Sequence, residues 1–406
     1  MKKRSWLVCS VLVTAGLALL LTACNKPVAQ ESKKEIIIGA VHAMSGPSST
    51  LGNSIKQGMD LAIKEVNAAG GIMGMNVRAV YRDDEGDPTK AKTYMEEVII
   101  KEKADFIIGP TNSTSVASSE PFVNENKKVQ ILDIATASAL IDATKFPYTF
   151  RTMIPNNKQA EALVKIALSK GYKKIVLVQD TSALGVGGLA DMKKYMDQAG
   201  AKAVAEISYT SNEADMTPVA QKIKDAGADC ALFWTLGADG AKIVKALERV
   251  NYLNNLEILG YTGLSMTNFQ ALAGPGASIC STLGLEVWAP LRSQAKFDDL
   301  RQSIYDKVLK EYGAFGPGKR DTSPIYISSG YDSVMLLKAA IEKAKSTDSD
   351  KVKAALESGD EFKGYYAKGY VFSKTEHEGL NVKEICQTEI STDKYLGEFA
   401  YRTEKK

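Results

Sequence analysis

Residues 35–41 read Glu35-Ile36-Ile37-Ile38-Gly39-Ala40-Val41, and residues 53–69 then place apolar side chains at Ile55, Met59, Ala62, Ile63 and Val66. The first stretch is apolar without alternation, so both faces of its strand must be covered. The second recurs at three and four residues, the spacing of an amphipathic helix, and Gly70-Gly71 stops it. A doubly covered strand feeding such a helix is the repeating unit of a parallel sheet, whose neighbouring strands need a helical crossover.

The same unit recurs outward along the chain. Strands are expected at 76–81, 105–109 and 129–134, with helices at 88–103 and 115–125. A second series has strands at 174–179, 203–208, 229–235 and 256–260, separated by helices at 187–198, 216–226 and 238–250. Roughly 370 residues in two such series exceed one sheet, so the fold class is α/β with two doubly wound parallel-sheet lobes. The last third changes character: long helices at 293–312 and 325–345, a short one at 350–358, and strand-like pieces at 369–372 and 382–387.

Composition narrows the function. With 45% hydrophobic and 24% charged residues among 406, the chain is neither collagenous nor disordered nor a multi-span membrane protein. Two histidines argue against a histidine-rich metal site. Lys2, Lys3 and Arg4 account for the whole formal charge of +3, and the rest is balanced. Nucleic acid is therefore excluded as the main partner, since it demands concentrated positive charge.

Those three basic residues precede an uncharged, mostly apolar run over 6–23, which reads as a secretory signal peptide spanning 1–23. Leu21-Thr22-Ala23-Cys24 resembles the bacterial lipobox, whose cysteine is lipidated and becomes the new N-terminus. Cys24 is thus the expected lipidation site and 24–34 a polar tether. No other segment reaches the about 18 apolar residues of a membrane span. The body is expected outside the cytoplasm, attached to the cell membrane through the lipid anchor alone. Cys230, Cys280 and Cys386 lack CxxC spacing and are too few for a disulfide framework.

In open parallel sheets, ligands bind beyond the carboxyl ends of strands, where helix N-termini offer unpaired N–H groups. The turn Pro110-Thr111-Asn112-Ser113-Thr114-Ser115 and the turn Ala135-Thr136-Ala137-Ser138 are rich in hydroxyls and free of Lys and Arg. Hydroxyls with helix N-termini suit a small carboxylate; a polyphosphate would call for basic side chains as well. The second series offers turns beginning at Asp180, Trp234 and Tyr261.

Ile36-Ile37-Ile38-Gly39 with Met44-Ser45-Gly46-Pro47 resembles the opening of the leucine/isoleucine/valine-binding protein family, the type I periplasmic binding proteins that serve as receptors of ABC importers. The likeness continues through Asn67-Ala68-Ala69-Gly70-Gly71-Ile72-Met73-Gly74, Asp83-Asp84-Glu85-Gly86-Asp87-Pro88 and Ile107-Ile108-Gly109-Pro110, and covers roughly 35–395. It implies lobe one from 35–153 and 285–373, and lobe two from 154–284 and 374–403. Three crossovers near 152–155, 283–288 and 372–376 would form a hinge that closes on ligand. It implies a monomer that delivers a small-molecule ligand to ABC permease subunits.

Site residues carry over in part. In amino-acid-binding members, the turns matching Ser113, and Thr136 with Ser138, grip the ligand's α-carboxylate and amine. Asn112 lies in the first of these turns. Family tyrosines are replaced by Leu51 and Leu184, and the acid that pairs with the ammonium aligns with Thr262. Leu236 adds apolar surface and Trp234 offers a face for stacking; Asp239 is an acid that could substitute, but it starts a helix and reads first as an N-cap. The disulfide of some members falls on Gly86 and Asn112, so it is absent. Gly185-Val186-Gly187-Gly188 imitates a dinucleotide fingerprint, but its glycines stand too far beyond the strand. No cofactor or metal is expected, and His42 reads as a structural histidine. The sequence thus points to an amino-acid-transport binding protein rather than an enzyme, its ligand a branched-chain-type amino acid or similar carboxylate. The alternatives are an amine-free aromatic or aliphatic acid, or a ligand-sensing domain of the same fold.

Overall fold

The computed structural model describes residues 35–265, 269–289, 296–314, 322–380 and 382–390. The leader, Cys24, the tether and residues 391–403 lie outside them. The first series begins with β1 (Glu35–His42), α1 (Ser49–Ala68), β2 (Asn76–Asp83) and α2 (Pro88–Ile100). It ends with β3 (Phe106–Ile108), α3 (Ser113–Glu125), β4 (Gln130–Leu132) and β5 (Thr149–Arg151). The second contains α4 (Asn156–Ser169), β6 (Ile175–Asp180), α5 (Ala183–Gln198), β7 (Ala205–Tyr209), α6 (Thr217–Asp225) and β8 (Cys230–Trp234). α7 (Gly237–Arg249), β9 (Glu257–Gly260), α8 (Phe269–Ala273) and β10 (Cys280–Leu285) follow. The remainder is α9 (Asp299–Tyr312), α10 (Pro324–Ala344), α11 (Ser349–Leu356), the hairpin β11 (Ser358–Lys363) and β12 (Gly369–Ser373), and β13 (Ile385–Glu389).

Two sheets result. One has the order β2-β1-β3-β4-β5, the other β13-β10-β9-β8-β6-β7. Pairings β1/β3, β3/β4 and β4/β5 are parallel, with Ala40 opposite Ile108 and Ile131 opposite Phe150. The second sheet is parallel except at β13, which runs antiparallel along β10. β1 and β6 sit inside their sheets, which is why both are apolar on both faces. No helix of the described residues is long and apolar enough to cross a membrane.

Caps explain where helices begin. Asp87 accepts from the Thr89 and Lys90 N–H groups (2.7 and 2.9 Å), with Pro88 opening α2. Asp298 accepts from the Arg301 N–H (2.9 Å), so α9 starts at Asp299 rather than at 293. α5 starts at Ala183, four residues before the expected 187, because Ser182 caps the Gly185 N–H (3.3 Å). β5, α4, α8, β10 and β11 were not anticipated, although Ala160, Leu163, Val164 and Ala167 give α4 a regular buried face.

The first sheet's core is assembled from distant segments. Residues of α9, α10, α11 and the hairpin join Ile36, Ile38, Phe106 and Phe150 in one cluster. α10 lies against α1 so closely that a Cβ at Gly58 would overlap the Ile327 carbonyl, and one at Gly330 the Ile55 carbonyl. The last crossing differs from the expected boundary at 374. The Arg151 N–H donates to the His377 carbonyl (2.9 Å) and the Gly379 N–H to the Arg151 carbonyl (2.9 Å). Leu380 packs in the first core, so the chain leaves the first sheet between Leu380 and Ile385.

Candidate functional site

A cavity of about 310 Å³ opens where the carboxyl ends of the two sheets face each other. Leu51, Asn112, Ser113, Thr136, Leu184, Leu236 and Thr262 all line it, as the sequence suggested. Leu51 does so from the first turn of α1, since that helix starts at Ser49 rather than 53.

Two turns of the first sheet form the polar wall. Ser113 is the first residue of α3, and its hydroxyl accepts from the Ala137 N–H (3.3 Å), tying one turn to the other. The hydroxyl proton can be given to a ligand oxygen, beside a helix start whose first N–H groups have no intrahelical acceptor. Asn112 donates to the Ser48 hydroxyl (3.0 Å), and its buried Oδ1 has no partner among the described residues. A Cβ at Gly86 would stand 3.6 Å from the Asn112 side chain, so the two positions of the missing disulfide are neighbours. The second turn is clamped from behind. Arg151, fully buried, donates to the carbonyls of Ala135 (3.1 Å) and Ala137 (3.0 Å), one on each side of Thr136. Glu378 takes the Nε/Nη2 edge of the guanidinium side-on, through Nε at 2.8 Å and through Nη2.

Beneath this wall His42 and Asp133 are fully buried, with His42 Nε2 4.0 Å from Asp133 Oδ2. His42 Nδ1 lies 3.1 Å from the Thr111 hydroxyl, which also accepts from the Ala43 N–H (3.3 Å). Burial pushes the histidine pKa down to about 3 and the Asp133 pKa up to about 8. Both are therefore neutral near pH 7, and His42 supports the wall without reaching the cavity.

The opposite wall comes from the second sheet: Asp180 at the end of β6, Ser182 and Leu184 at the start of α5, Ser211 and Asn212 after β7, Leu236 and Asp239 at α7, and Tyr261 and Thr262 after β9. Gln159 of α4 accepts from the Thr262 N–H (3.1 Å) and hydroxyl (2.9 Å), fixing that turn.

Two expected residues are placed elsewhere. Trp234 is 1% exposed and lies under Tyr261, ring on ring at 4.6 Å and 11°. The alternation of β8 turns its indole toward α4 and α5, so Tyr261 meets the cavity and Trp234 supports it. Ser138 also misses the cavity: its hydroxyl donates to Asp191 of α5 (2.7 Å), bridging the two halves. Of the glycines of the apparent dinucleotide fingerprint, Gly188 serves packing, since a Cβ there would overlap the Trp234 indole. Tyr326 of α10 and the Ser211-Asn212 turn were missed. That turn follows a strand like the others and could have been found by the same rule; Tyr326 sits in a helix whose apolar pattern hides it.

The sequence matches the family described as periplasmic binding protein over residues 35–384. Among curated proteins, Leu/Ile/Val-binding protein homolog 3 of Brucella melitensis is 26% identical over 327 residues, covering 80% of this chain and 84% of the relative. Among solved structures, LivJ, the branched-chain amino acid transporter substrate binding protein of Streptococcus pneumoniae in complex with isoleucine, superposes with a TM-score of 0.75 at 20% identity, covering 91% and 99% of the two chains. A solute binding protein of an ABC transporter from R. palustris, in complex with 4-hydroxybenzoate, gives 0.77 at 20% identity, covering 91% and 96%. With two parallel sheets facing across a cleft and a family match over most of its length, the chain belongs to the periplasmic binding proteins of the type I fold.

Proposed function

We propose that this protein is the extracytoplasmic solute-binding lipoprotein of an ABC importer, and that it holds a hydrophobic amino acid in the interlobe cleft and hands it to the permease. The observation that carries the ligand class is the composition of this cavity. Hydroxyl turns at Ser113 and Thr136 stand on one wall, and Leu51, Leu184 and Leu236 supply apolar surface. The hydroxyls and helix start suit a carboxylate, and the leucines suit an aliphatic or aromatic body. Binding rather than catalysis is the proposed activity, as the names of the relatives suggest. Anchoring through Cys24 is the part carried by sequence alone, and the intact mass of membrane-extracted protein tests it. A mature form that starts elsewhere, unmodified, rejects it.

Charge favours a zwitterion over an amine-free acid. Among the described residues, Glu85, Asp180 and Asp239 line the cavity, and no Lys or Arg does. A lone carboxylate ligand would add net negative charge to that set, whereas an amino acid adds none. The amine-free aromatic acid remains the rival because Tyr261 and Tyr326 also line the cavity and the R. palustris relative holds 4-hydroxybenzoate.

Calorimetry with leucine, phenylalanine and their amine-free counterparts decides between them. Amino acids should bind and the matched acids should be far weaker. Ser113→Ala should weaken the binder by about 1.5–3 kcal/mol, about 10- to 150-fold in Kd, the range for a hydrogen bond to a charged group. Unchanged affinity in that variant would move the carboxylate site elsewhere.

A further inference from the structure

Among the described residues three carboxylates face this cavity, and two of them are already compensated. Glu85 pairs with Lys90 (2.7 Å). Asp239 accepts from Lys242 (3.0 Å) and from the Asn212 N–H (2.9 Å). Asp180 differs. It is 3% exposed, its Oδ1 accepts only from the Ser182 N–H (2.8 Å), and no cationic side chain pairs with it among the described residues. A buried carboxylate without a cation carries a desolvation penalty that a single backbone N–H offsets only in part.

Position supplies the missing partner. Asp180 ends β6 in the second sheet, so it lines the cavity from the wall opposite the Ser113 and Thr136 turns. A zwitterion whose carboxylate rests on those turns presents its ammonium to the other wall. There Asp239 is engaged with Lys242, and Thr262 is fixed on Gln159.

We propose that Asp180 is the counter-ion for the ammonium group of an amino acid held in this cleft. The assignment rests on the amino-acid reading above and names the residue that selects the amine. It replaces Asp239 as the acid for that role. It also gives this chain a specificity determinant on β6, although Thr262 stands where amino-acid-binding relatives carry an acid.

Asp180→Asn keeps the acceptor for the Ser182 N–H and removes only the charge, which makes it the discriminating variant. Calorimetry with leucine and with 4-methylpentanoate, which is leucine without its amine, reads the outcome. In D180N the leucine Kd should rise 10-fold or more, while 4-methylpentanoate should bind as in wild type or more tightly, because the carboxylate that repels it is gone. Leucine bound equally well by wild type and D180N overturns the Asp180 assignment and leaves the amino-acid reading standing. Wild type that binds no amino acid overturns both. Should D180N not fold, D180E keeps the charge but displaces it by one methylene. Selective loss of leucine supports the assignment there, and equal loss of both ligands overturns it.

Discussion

His42 and Asp133 show how a pair of buried groups can tune stability without touching ligand. His42 binds its proton less readily in the fold, with a pKa of about 3 against an ordinary 6.5. Between those values the unfolded chain holds more protons, so this residue makes stability rise with pH. Asp133 is opposite: its pKa is raised from 3.8 to about 8, so the folded chain holds the extra proton and stability falls as pH rises across that window. The slopes cancel between about pH 4 and 6.5, leaving the Asp133 loss alone from about 6.5 to 8. Asp133→Asn should remove that loss. Urea midpoints at pH 6 and pH 8 test it: the gap between the two should be smaller in the variant, and an equal gap rejects the assignment. Single residues were legible in the sequence where chemistry marks them. The hydroxyls at Ser113 and Thr136 stood out because their turns lack charge. Asp180 did not, since its significance depends on which other acids already have partners, and only three-dimensional neighbours reveal that.

α5 illustrates what periodicity misses and packing decides. Its glycines look like a single motif, yet each has its own surroundings. Nothing lies within 4 Å of a Cβ at Gly187, whereas Gly188 abuts Trp234. Gly187→Ala should stabilise the protein by about 0.5–1 kcal/mol, the gain in helix propensity. Gly188→Ala has the same propensity gain but forces the buried indole aside, and should be net destabilising by about 1–2 kcal/mol. Chemical denaturation of the two variants tests the contrast; equal shifts of the same sign reject it. Strands buried on both faces and capped helices were legible because their signals are local. β5 and β10 were not: β5 is three residues long, and both carry polar residues, such as Arg151 and Ser281, whose roles lie in other segments. The clamp of Arg151 and Glu378 on the Thr136 turn is the clearest case, joining residues 227 positions apart.

Across the whole molecule, the cavity draws its walls from both sheets, and three chain crossings join them. The third lies between Leu380 and Ile385, which places Glu378 just before it. Ser138 and Asp191 already bridge the halves at 2.7 Å. Closure on ligand should therefore bring the halves together around that contact, reducing the radius of gyration in small-angle scattering at saturating leucine. A confirmed binder that leaves the scattering curve unchanged rejects hinge closure. The two-lobe architecture was legible from the doubled strand–helix series. The resemblance implies that 285–373 returns to the first lobe; Leu380 packs in the first core as well, beyond the expected boundary at 374, because a hinge leaves no periodic mark.

The close seating of α10 on α1 has a further consequence for how the protein comes into being. A chain that emerges from its N-terminus exposes the apolar face of α1 almost at once. The helix that covers that face is supplied some 270 residues later, by Ser323 donating to the Ser54 hydroxyl and by Gly58 meeting the Ile327 carbonyl. Until then the first half cannot complete its interior, while the second, built mostly from one uninterrupted stretch, can. Biogenesis should thus run inside out: the middle of the chain is expected to mature first, while the beginning waits for the end, and limited proteolysis during refolding would cut α1 before it cuts β6 to β9.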